Sequence, residues 1–343
     1  MTKRKVLVWT ALLIVCSLST AWADTTSGTL WYTTYTTQTT AGVSARVWHV
    51  DYNFNGTSLV LTNDTGFANP AGSDGLLFSG NNLMVSGQNA SGGVVYQYNP
   101  TAAPLASPTA TTDTNNGSYH LALGPGGTTL YSIWNGSGTG SNTIQGITLS
   151  SGGLTSTVTN FTVAGETDIR GIVYDPVNST WYYGTAGDGL TNGDFGYLTF
   201  LGTTITAHPL LTADAAAHGL TFDPFTNDII FSSGNEVEMY TPGTGVVSTY
   251  TSTVGDALDQ SSVDGNGHLF VASNNGNLLF IDYAATSQIG TGTAVEKFLK
   301  PNLDDLAPLS GAGSSTVPEP TSMLLLGTVL AGVATLRKRI RKA

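Results

Sequence analysis

A repeated phrase of strand, turn and strand constrains the fold of this chain more than any other feature of its sequence. In each copy, an apolar run leads into a turn rich in Asp, Pro, Gly and Asn, and a run with aromatic or β-branched residues follows. These turn residues fix φ, accept positive φ or hydrogen-bond to their own backbone. The pattern predicts a repeating all-β unit. The copies are LLFSGNNLMVSG from Leu76, LALGPGGTTLYSIW from Leu121, GIVYDPVNSTWYYGT from Gly171, GLTFDPFTNDIIFSS from Gly219 and SSVDGNGHLFVAS from Ser261.

A third apolar run follows each copy, and a looser fourth run comes after it. The third runs are VVYQY, TIQGITL, FGYLTF, EVEMYT and NLLFIDY, which begin at Val94, Thr143, Phe195, Glu236 and Asn277. Four antiparallel strands in a repeat of this length are typical of a β-propeller blade. The second strands are spaced by 40 to 52 residues and start at Trp31, Leu83, Leu130, Trp181, Ile229 and Leu269. We therefore expect a six-bladed propeller over residues 24–309.

The first unit, GTLWYTTY, lacks a first strand of its own. The segment LDDLAPL from Leu303 to Leu309 lies about one period after the last complete copy. A ring of blades is closed when a strand from one end of the chain completes the blade begun by the other end. Such closure removes free sheet edges. We expect residues 303–309 to pair with the strand that contains Trp31.

The turn phrases at Asp175-Pro176 and Asp223-Pro224, each followed by a strand, resemble those of the broad class of NHL-like and lactonase-like propellers. The phrase is degenerate, so the resemblance implies the propeller fold and does not imply an activity.

The first 23 residues have the layout of a secretory signal peptide. Lys3, Arg4 and Lys5 are followed by an apolar core from Val6 to Leu18 and by the small-x-small sequence Ala21-Trp22-Ala23. This layout predicts export by the Sec machinery and a mature chain that begins at Asp24. The only cysteine, Cys16, lies within the signal. The mature chain is thus expected to contain no disulfide and no Cys-ligated metal.

The last 27 residues form a second targeting segment. Residues 321–336 are apolar and uncharged, and a helix of this length would be about 24 Å long. Five basic residues follow, which the positive-inside rule would hold in the cytoplasm: Arg337, Lys338, Arg339, Arg341 and Lys342. One interpretation is an ordinary transmembrane anchor of the inner membrane.

The order of VPEP, apolar helix and basic end also resembles the PEP-CTERM sorting signal of Gram-negative bacteria. The resemblance covers residues 317–343, preceded by a linker at 310–316, and it carries over only Pro318, Glu319 and Pro320 as the recognition element. It implies a transient membrane anchor, processing by an exosortase and a final location at the cell surface or outside the cell. Members of this family often accompany exopolysaccharide and biofilm genes.

The body of the chain, from Asp24 to Thr316, is strongly acidic. It contains 22 Asp and Glu residues but only four basic ones, which gives a formal charge near −18. Such a chain should repel nucleic acid, so we expect no nucleic-acid partner. The four basic residues are Arg46, Arg170, Lys297 and Lys300.

A binding site is expected where the first strands of the blades begin. In a propeller these strands surround the axis, so residues at equivalent positions converge on the mouth of the central channel. The candidates for ligand binding are Asp74, His120, Arg170, His218 and Gln260. Carboxylates that could hold Ca²⁺, the candidate cofactor, are Glu166, Asp168, Asp214, Asp256, Asp259, Asp304 and Asp305. The structural alternative is a wet channel lined by solvated polar side chains.

The sequence contains no complete set of catalytic residues, because the common nucleophile, phosphate-binding and zinc-protease motifs are missing. We therefore expect a surface or matrix-associated binding or structural protein, with extracellular polysaccharide as a candidate partner. The alternative is a divalent-metal-dependent hydrolase or lactonase with its site at the channel mouth.

Overall fold

The computed structural model describes residues 26–87, 93–114, 118–133, 143–166, 168–185, 193–212, 217–253 and 258–308. The signal peptide, the linker, Pro318–Pro320 and the expected helix over 321–336 lie outside these residues. Within them, the secondary structure consists of 24 β-strands and two short 3₁₀ helices, Pro125–Gly127 and Ile289–Thr291. None of the described helices is long and apolar enough to span a membrane.

The strands follow one another as short antiparallel meanders. The first half of the chain forms β1 (Thr26–Thr40), β2 (Val43–Phe54), β3 (Leu59–Ala68), β4 (Leu76–Ser79), β5 (Asn82–Gly87), β6 (Val94–Tyr98), β7 (Ala110–Asp113), β8 (His120–Leu123), β9 (Thr129–Ile133), β10 (Thr143–Ser150) and β11 (Gly153–Ala164). The second half forms β12 (Ile169–Asp175), β13 (Thr180–Thr185), β14 (Asp194–Leu201), β15 (Thr204–Thr212), β16 (Ala217–Asp223), β17 (Asp228–Ser233), β18 (Glu236–Thr241), β19 (Gly245–Thr251), β20 (Leu258–Val263), β21 (His268–Ser273), β22 (Asn277–Asp282), β23 (Thr293–Phe298) and β24 (Leu303–Pro308).

The described strands form an all-β, propeller-like fold of five sheets. Four sheets have four strands each, in the orders β24-β1-β2-β3, β4-β5-β6-β7, β16-β17-β18-β19 and β20-β21-β22-β23. The fifth has eight strands in the order β12-β13-β14-β15-β11-β10-β9-β8. The expectation of six separate four-stranded sheets is therefore corrected to four such sheets and one larger sheet.

The larger sheet arises because two outer strands pair with each other. Residues 162–164 of β11 run parallel to residues 204–206 of β15, and the amide of Thr162 donates a hydrogen bond to the carbonyl of Thr203. This pairing joins two four-stranded meanders at their outer edges into one sheet.

The two ends of the described chain meet in one sheet. Strand β24 pairs antiparallel with β1, with Leu30 opposite Pro308 and Tyr32 opposite Leu306. This is the pairing expected between residues 303–309 and the strand of Trp31. We call β4, β8, β12, β16, β20 and β24 the inner strands, because each contacts the next and β24 contacts β4 again.

Aromatic residues hold neighbouring sheets together. The rings of Tyr52 and Phe270 are 4.9 Å apart and connect the first and last sheets. Phe195 stacks on Phe231 at 4.6 Å between the eight-stranded sheet and the β16–β19 sheet. Such contacts contribute beyond the area that they bury. The core therefore lies between the sheets, and the residues nearest the axis are left to line the channel.

Aspartates order the turns that follow three of the inner strands. Asp175, Asp223 and Asp264 each accept a hydrogen bond from a backbone amide two residues later, at 2.8, 3.0 and 2.8 Å. These are the side-chain to backbone bonds that the repeated turn phrase predicts.

Candidate functional site

A cavity of about 380 Å³ lies at the end of the channel where the inner strands begin. We call it the mouth cavity. Four inner strands, β8, β12, β20 and β24, each place one residue in it at their first or second position. The residues just before a fifth inner strand, β4, also line it. Its lining residues are Tyr35, Arg46, Gly72, Ser73, Asp74, Tyr119, His120, Arg170, Asp259, Asn274 and Asp304.

His120 and Asp305 form a buried pair beside this cavity. Nδ1 of His120 lies 3.1 Å from Oδ1 of Asp305, and both side chains are almost fully buried. Burial alone would lower the pKa of His120, but the neighbouring carboxylates, above all Asp305, raise it to about 9. Burial raises the pKa of Asp305 to about 7 although His120 acts to lower it. The carboxylates around the imidazole therefore favour its protonated form.

Asp74 and Asp304 form a second buried pair, which belongs to the cavity wall. Burial is the main cause that raises the pKa of Asp304 well above its usual range, followed by Asp74 and Asp259. The side chains of Asp74 and Asp304 share a hydrogen bond. Two carboxyl groups can do so only if one of them holds a proton, so this hydrogen bond also acts to raise the pKa of Asp304.

Hydroxyl groups fix the backbone beneath these carboxyl groups. The hydroxyl of Thr33 donates to the carbonyl of Asp74 at 2.8 Å and accepts from the amide of Asp305 at 3.0 Å. The amide of Leu76 donates to Oδ2 of Asp305 at 3.0 Å. Strands β1, β4 and β24 are thereby locked together at the site, so the carboxyl groups are held in place by the fold.

Two arginines line the half-buried rim of the cavity. Arg170 lies 3.4 Å from Asp168 and 5.5 Å from the centre of the Tyr119 ring. Arg46 donates hydrogen bonds to the Thr37 hydroxyl at 3.0 Å and to the Ala71 carbonyl at 3.1 Å. Half of the basic residues of the body thus lie at the mouth cavity.

A second cavity of about 220 Å³ is lined by three successive residues from each inner strand. Most of these residues are apolar, for example Leu77, Leu123 and Val173. Gln260 belongs to this second cavity and is absent from the lining of the mouth cavity. The channel is therefore polar at the mouth and largely apolar further along the inner strands.

The structure brings together only part of the predicted site. Asp74, His120, Arg170, Asp259 and Asp304 line the mouth cavity, with Asp305 bonded to His120. Asp168 pairs with Arg170, and Glu166 accepts a hydrogen bond from Tyr183 at 3.2 Å. The backbone of His218 pairs with Ser232, whereas its side chain, Asp214 and Asp256 lie outside the described residues.

Metal binding by these residues stays a prediction. Among the residues that the structure describes, no group of three or more His, Asp or Glu side chains is arranged to hold a metal ion. The carboxyl groups at the mouth are instead engaged with His120 and with each other.

Six residues of the cavity were not predicted: Tyr35, Arg46, Gly72, Ser73, Tyr119 and Asn274. Tyr35 and Arg46 belong to the β1–β2 hairpin, whose first strand has 15 residues against five or six in β5 and β9. Two features of the sequence could have indicated Tyr35 and Arg46: the unusual length of this hairpin and the small number of basic residues in the body. Tyr119 directly precedes His120, so its position was also accessible from the repeat.

Comparison with solved structures supports the fold. The chain is similar to a chain in the crystal structure of a nidogen/laminin complex, with 16% identity and a TM-score of 0.60, covering 84% of this chain and 100% of that one. It is also similar to a protein from Lactobacillus plantarum, with 12% identity, a TM-score of 0.52 and coverage of 83% and 100%. The TM-scores indicate a shared fold, and at such low sequence identities the similarity shows the fold alone.

Comparison with curated proteins gave no match. Comparison with family models matched residues 316–339 to the PEP-CTERM protein-sorting motif. This motif implies export, transient anchoring in the membrane and processing by an exosortase. The chain therefore carries a PEP-CTERM protein-sorting motif at residues 316–339, and the body before it has a β-propeller-like fold.

Proposed function

We propose that this protein is a surface or matrix-associated binding protein, released after exosortase processing, that holds a small polar ligand or the end of a glycan in its mouth cavity. The observation that carries the proposal is the cavity itself. Its volume of about 380 Å³ lies within the range of small-molecule sites. Its walls combine buried carboxyl groups, two arginines and two tyrosines, which suits a ligand rich in hydroxyl or amino groups.

We further propose that the ring has six blades. The eight-stranded sheet consists of two four-stranded meanders, β8–β11 and β12–β15, and among the described strands the two meanders pair with each other through β11 and β15 alone. The six inner strands contact one another in a closed cycle, and each contributes three residues to the second cavity. On this basis each meander is one blade.

The alternative function is a hydrolase or lactonase that uses a divalent metal at the same mouth. The clustering of Asp74, Asp259 and Asp304 around one cavity is the observation in its favour. Such an enzyme requires the metal, whereas a binding protein does not. The binding function is preferred because the described carboxyl groups are not arranged as a metal site.

The proposal is tested by ligand-detected NMR on the processed protein with oligosaccharides from the exopolysaccharide of the producing cells. We expect binding that weakens at least tenfold in Asp259→Asn and Tyr119→Ala. Asp113→Asn, on the exposed outer strand β7, is the matched control and should bind normally. Equal binding by all variants would place the ligand elsewhere. Lactone hydrolysis that requires Ca²⁺ and stops with a chelator would favour the enzyme instead.

A further inference from the structure

The charged side chains of the mouth cavity are divided by depth. Asp74, Asp259 and Asp304 are only 3, 6 and 4% exposed and form a buried wall. Arg46 and Arg170 are half-buried and form the rim. A ligand that enters the cavity therefore meets cationic groups first and carboxyl groups at the inner end.

Two acceptor atoms in this cavity have no partner among the described protein atoms. They are Oδ2 of Asp304 and Oδ1 of Asn274, and both atoms are buried. Asp304 is more than nine-tenths buried as a residue, and both side chains line the cavity. A buried acceptor without a donor is costly, so such atoms point to a ligand that brings N–H or O–H donors.

We infer that the mouth cavity binds the primary ammonium group of its ligand, as carried by an amino sugar, at Asp304, Asp74 and Asn274. The inference rests on the proposed binding function and specifies its ligand. An ammonium group has three N–H donors and a positive charge, whereas a hydroxyl group has one donor and no charge. It brings donors for the unpartnered oxygens of this wall and a counter-charge for the carboxyl pair.

The pair formed by Asp74 and Asp304 can release a proton when an ammonium group binds. Asp74 and Asp304 share a hydrogen bond, and burial raises the pKa of Asp304 well above its usual range. When a cation lies beside them, both carboxyl groups can ionise, because an opposite charge favours the charged form. Binding of an ammonium ion should therefore release the shared proton to solvent.

The rim arginines suggest a competing class of ligand, one with a carboxylate. Arg46 already donates to Thr37 and Ala71, and Arg170 lies against Asp168 and the Tyr119 ring. Nε of Arg170 is also buried without a hydrogen-bond partner among the described atoms, so an anionic sugar is included in the test. The ammonium class is favoured because the three aspartates of the wall are more deeply buried than the arginines of the rim, and because the body carries a formal charge near −18.

The test is calorimetric titration of the processed protein at pH 7.5 with glucosamine, N-acetylglucosamine, glucose and glucuronate, together with methylammonium as an amine without a sugar. Glucosamine should bind at least tenfold more tightly than N-acetylglucosamine or glucose. Its measured heat should change with the ionisation enthalpy of the buffer, as proton release requires. Asp304→Asn should abolish the preference for the amine, and Asp113→Asn should retain it.

Each outcome discriminates between the two proposals. Equal binding of glucosamine, N-acetylglucosamine and glucose would overturn the ammonium site while leaving a glycan-binding mouth. Tighter binding of glucuronate would do the same and assign recognition to the arginines. Methylammonium binding that is lost in Asp304→Asn would support the ammonium site even if no sugar bound.

Failure of every probe to bind would reject the ammonium site, and the oligosaccharide experiment above would then decide the binding function independently. A melting curve of Asp304→Asn confirms that the variant is folded.

Discussion

The imidazole of His120 lies 3.1 Å from the carboxylate of Asp305, although 185 residues separate them in the chain. His120 is the first residue of β8, whereas Asp305 lies in β24, the strand that closes the ring against β1. The strand that completes the fold therefore also builds the wall of the mouth cavity. Changes that loosen ring closure should consequently disturb the site as well.

Stability should fall as the pH rises from 5 to 9. The pKa of His120 is raised to about 9 in the folded protein. The contribution of His120 to the free energy of unfolding is therefore complete below pH 6.5 and is lost as the pH rises through 9. The pKa of Asp305 is raised to about 7, so this group also lowers the stability of the folded protein as the pH rises from 3.8 to 7. Urea unfolding at several pH values measures this slope. His120→Gln should flatten it between pH 6.5 and 9, and an unchanged slope would contradict the role of the pair. His208→Gln, on the outer strand β15, is the control.

Asp304→Asn should stabilise the protein at pH 8. The pKa of Asp304 is raised well above its usual range, chiefly by burial, so folding at pH 8 requires this group to take up a proton or to be buried with its charge. Asparagine has a similar shape and needs no proton. The gain should be largest at pH 8 and small at about pH 3, below the usual pKa of an Asp carboxyl group, where the group is largely protonated in both states. Thermal unfolding of both proteins at the two pH values checks this, and a lower melting temperature at pH 8 would contradict it.

Leu306→Ala should destabilise the fold by about 2–5 kcal/mol. Leu306 is 2% exposed, lies opposite Tyr32 in the closing pair of strands and belongs to the core between the first and last sheets. Leu201→Ala, at the 85% exposed last residue of β14, is the matched control and should change stability by less than about 0.5 kcal/mol. Equal losses in the two variants, measured by urea unfolding, would mean that β24 does not hold the ring closed.

Gly219→Ala should destabilise the fold by more than about 2 kcal/mol. Gly219 has a φ of +55°, and a Cβ there would collide with the carbonyl oxygen of Asp259 in the neighbouring inner strand. Gly202→Ala separates the two causes, because Gly202 has a φ of +62° but no atom within 4 Å of a Cβ. That control should lose only about 1 kcal/mol, the cost of the left-handed conformation. A similar loss in both variants would show that inner strands do not approach so closely.

Deletion of Pro318–Pro320 should leave the protein at full length in the membrane fraction. These residues are the recognition element implied by the PEP-CTERM motif, which matches residues 316–339. Immunoblotting of membrane and medium fractions with a tag on the body measures the outcome. A deletion of the same size in the linker, residues 312–314, is the control and should be processed normally. Normal release of the Pro318–Pro320 deletion would contradict this role.

The sequence alone determined the all-β class and the pairing of the two ends. Both depend on local signals that recur along the chain: alternating apolar runs, and turn aspartates such as Asp223 that bond to their own backbone. The PEP-CTERM motif could also be recognised from the sequence, because a sorting signal is a linear sequence motif. Half of the site could also be predicted, since Asp74, His120 and Arg170 stand at equivalent positions of successive repeats.

Only the tertiary structure decided the rest. The pairing of β11 with β15 depends on how far two outer edges extend in space, and no local pattern encodes that distance. Arg46 and Tyr35 reach the mouth because the β1–β2 hairpin is long, and Gln260 lines the other cavity because of where its strand sits along the axis. The raised pKa of Asp304 arises from its burial and from the nearby carboxyl groups of Asp74 and Asp259. Burial and proximity are properties of the folded ring, so they cannot be read from the order of residues alone.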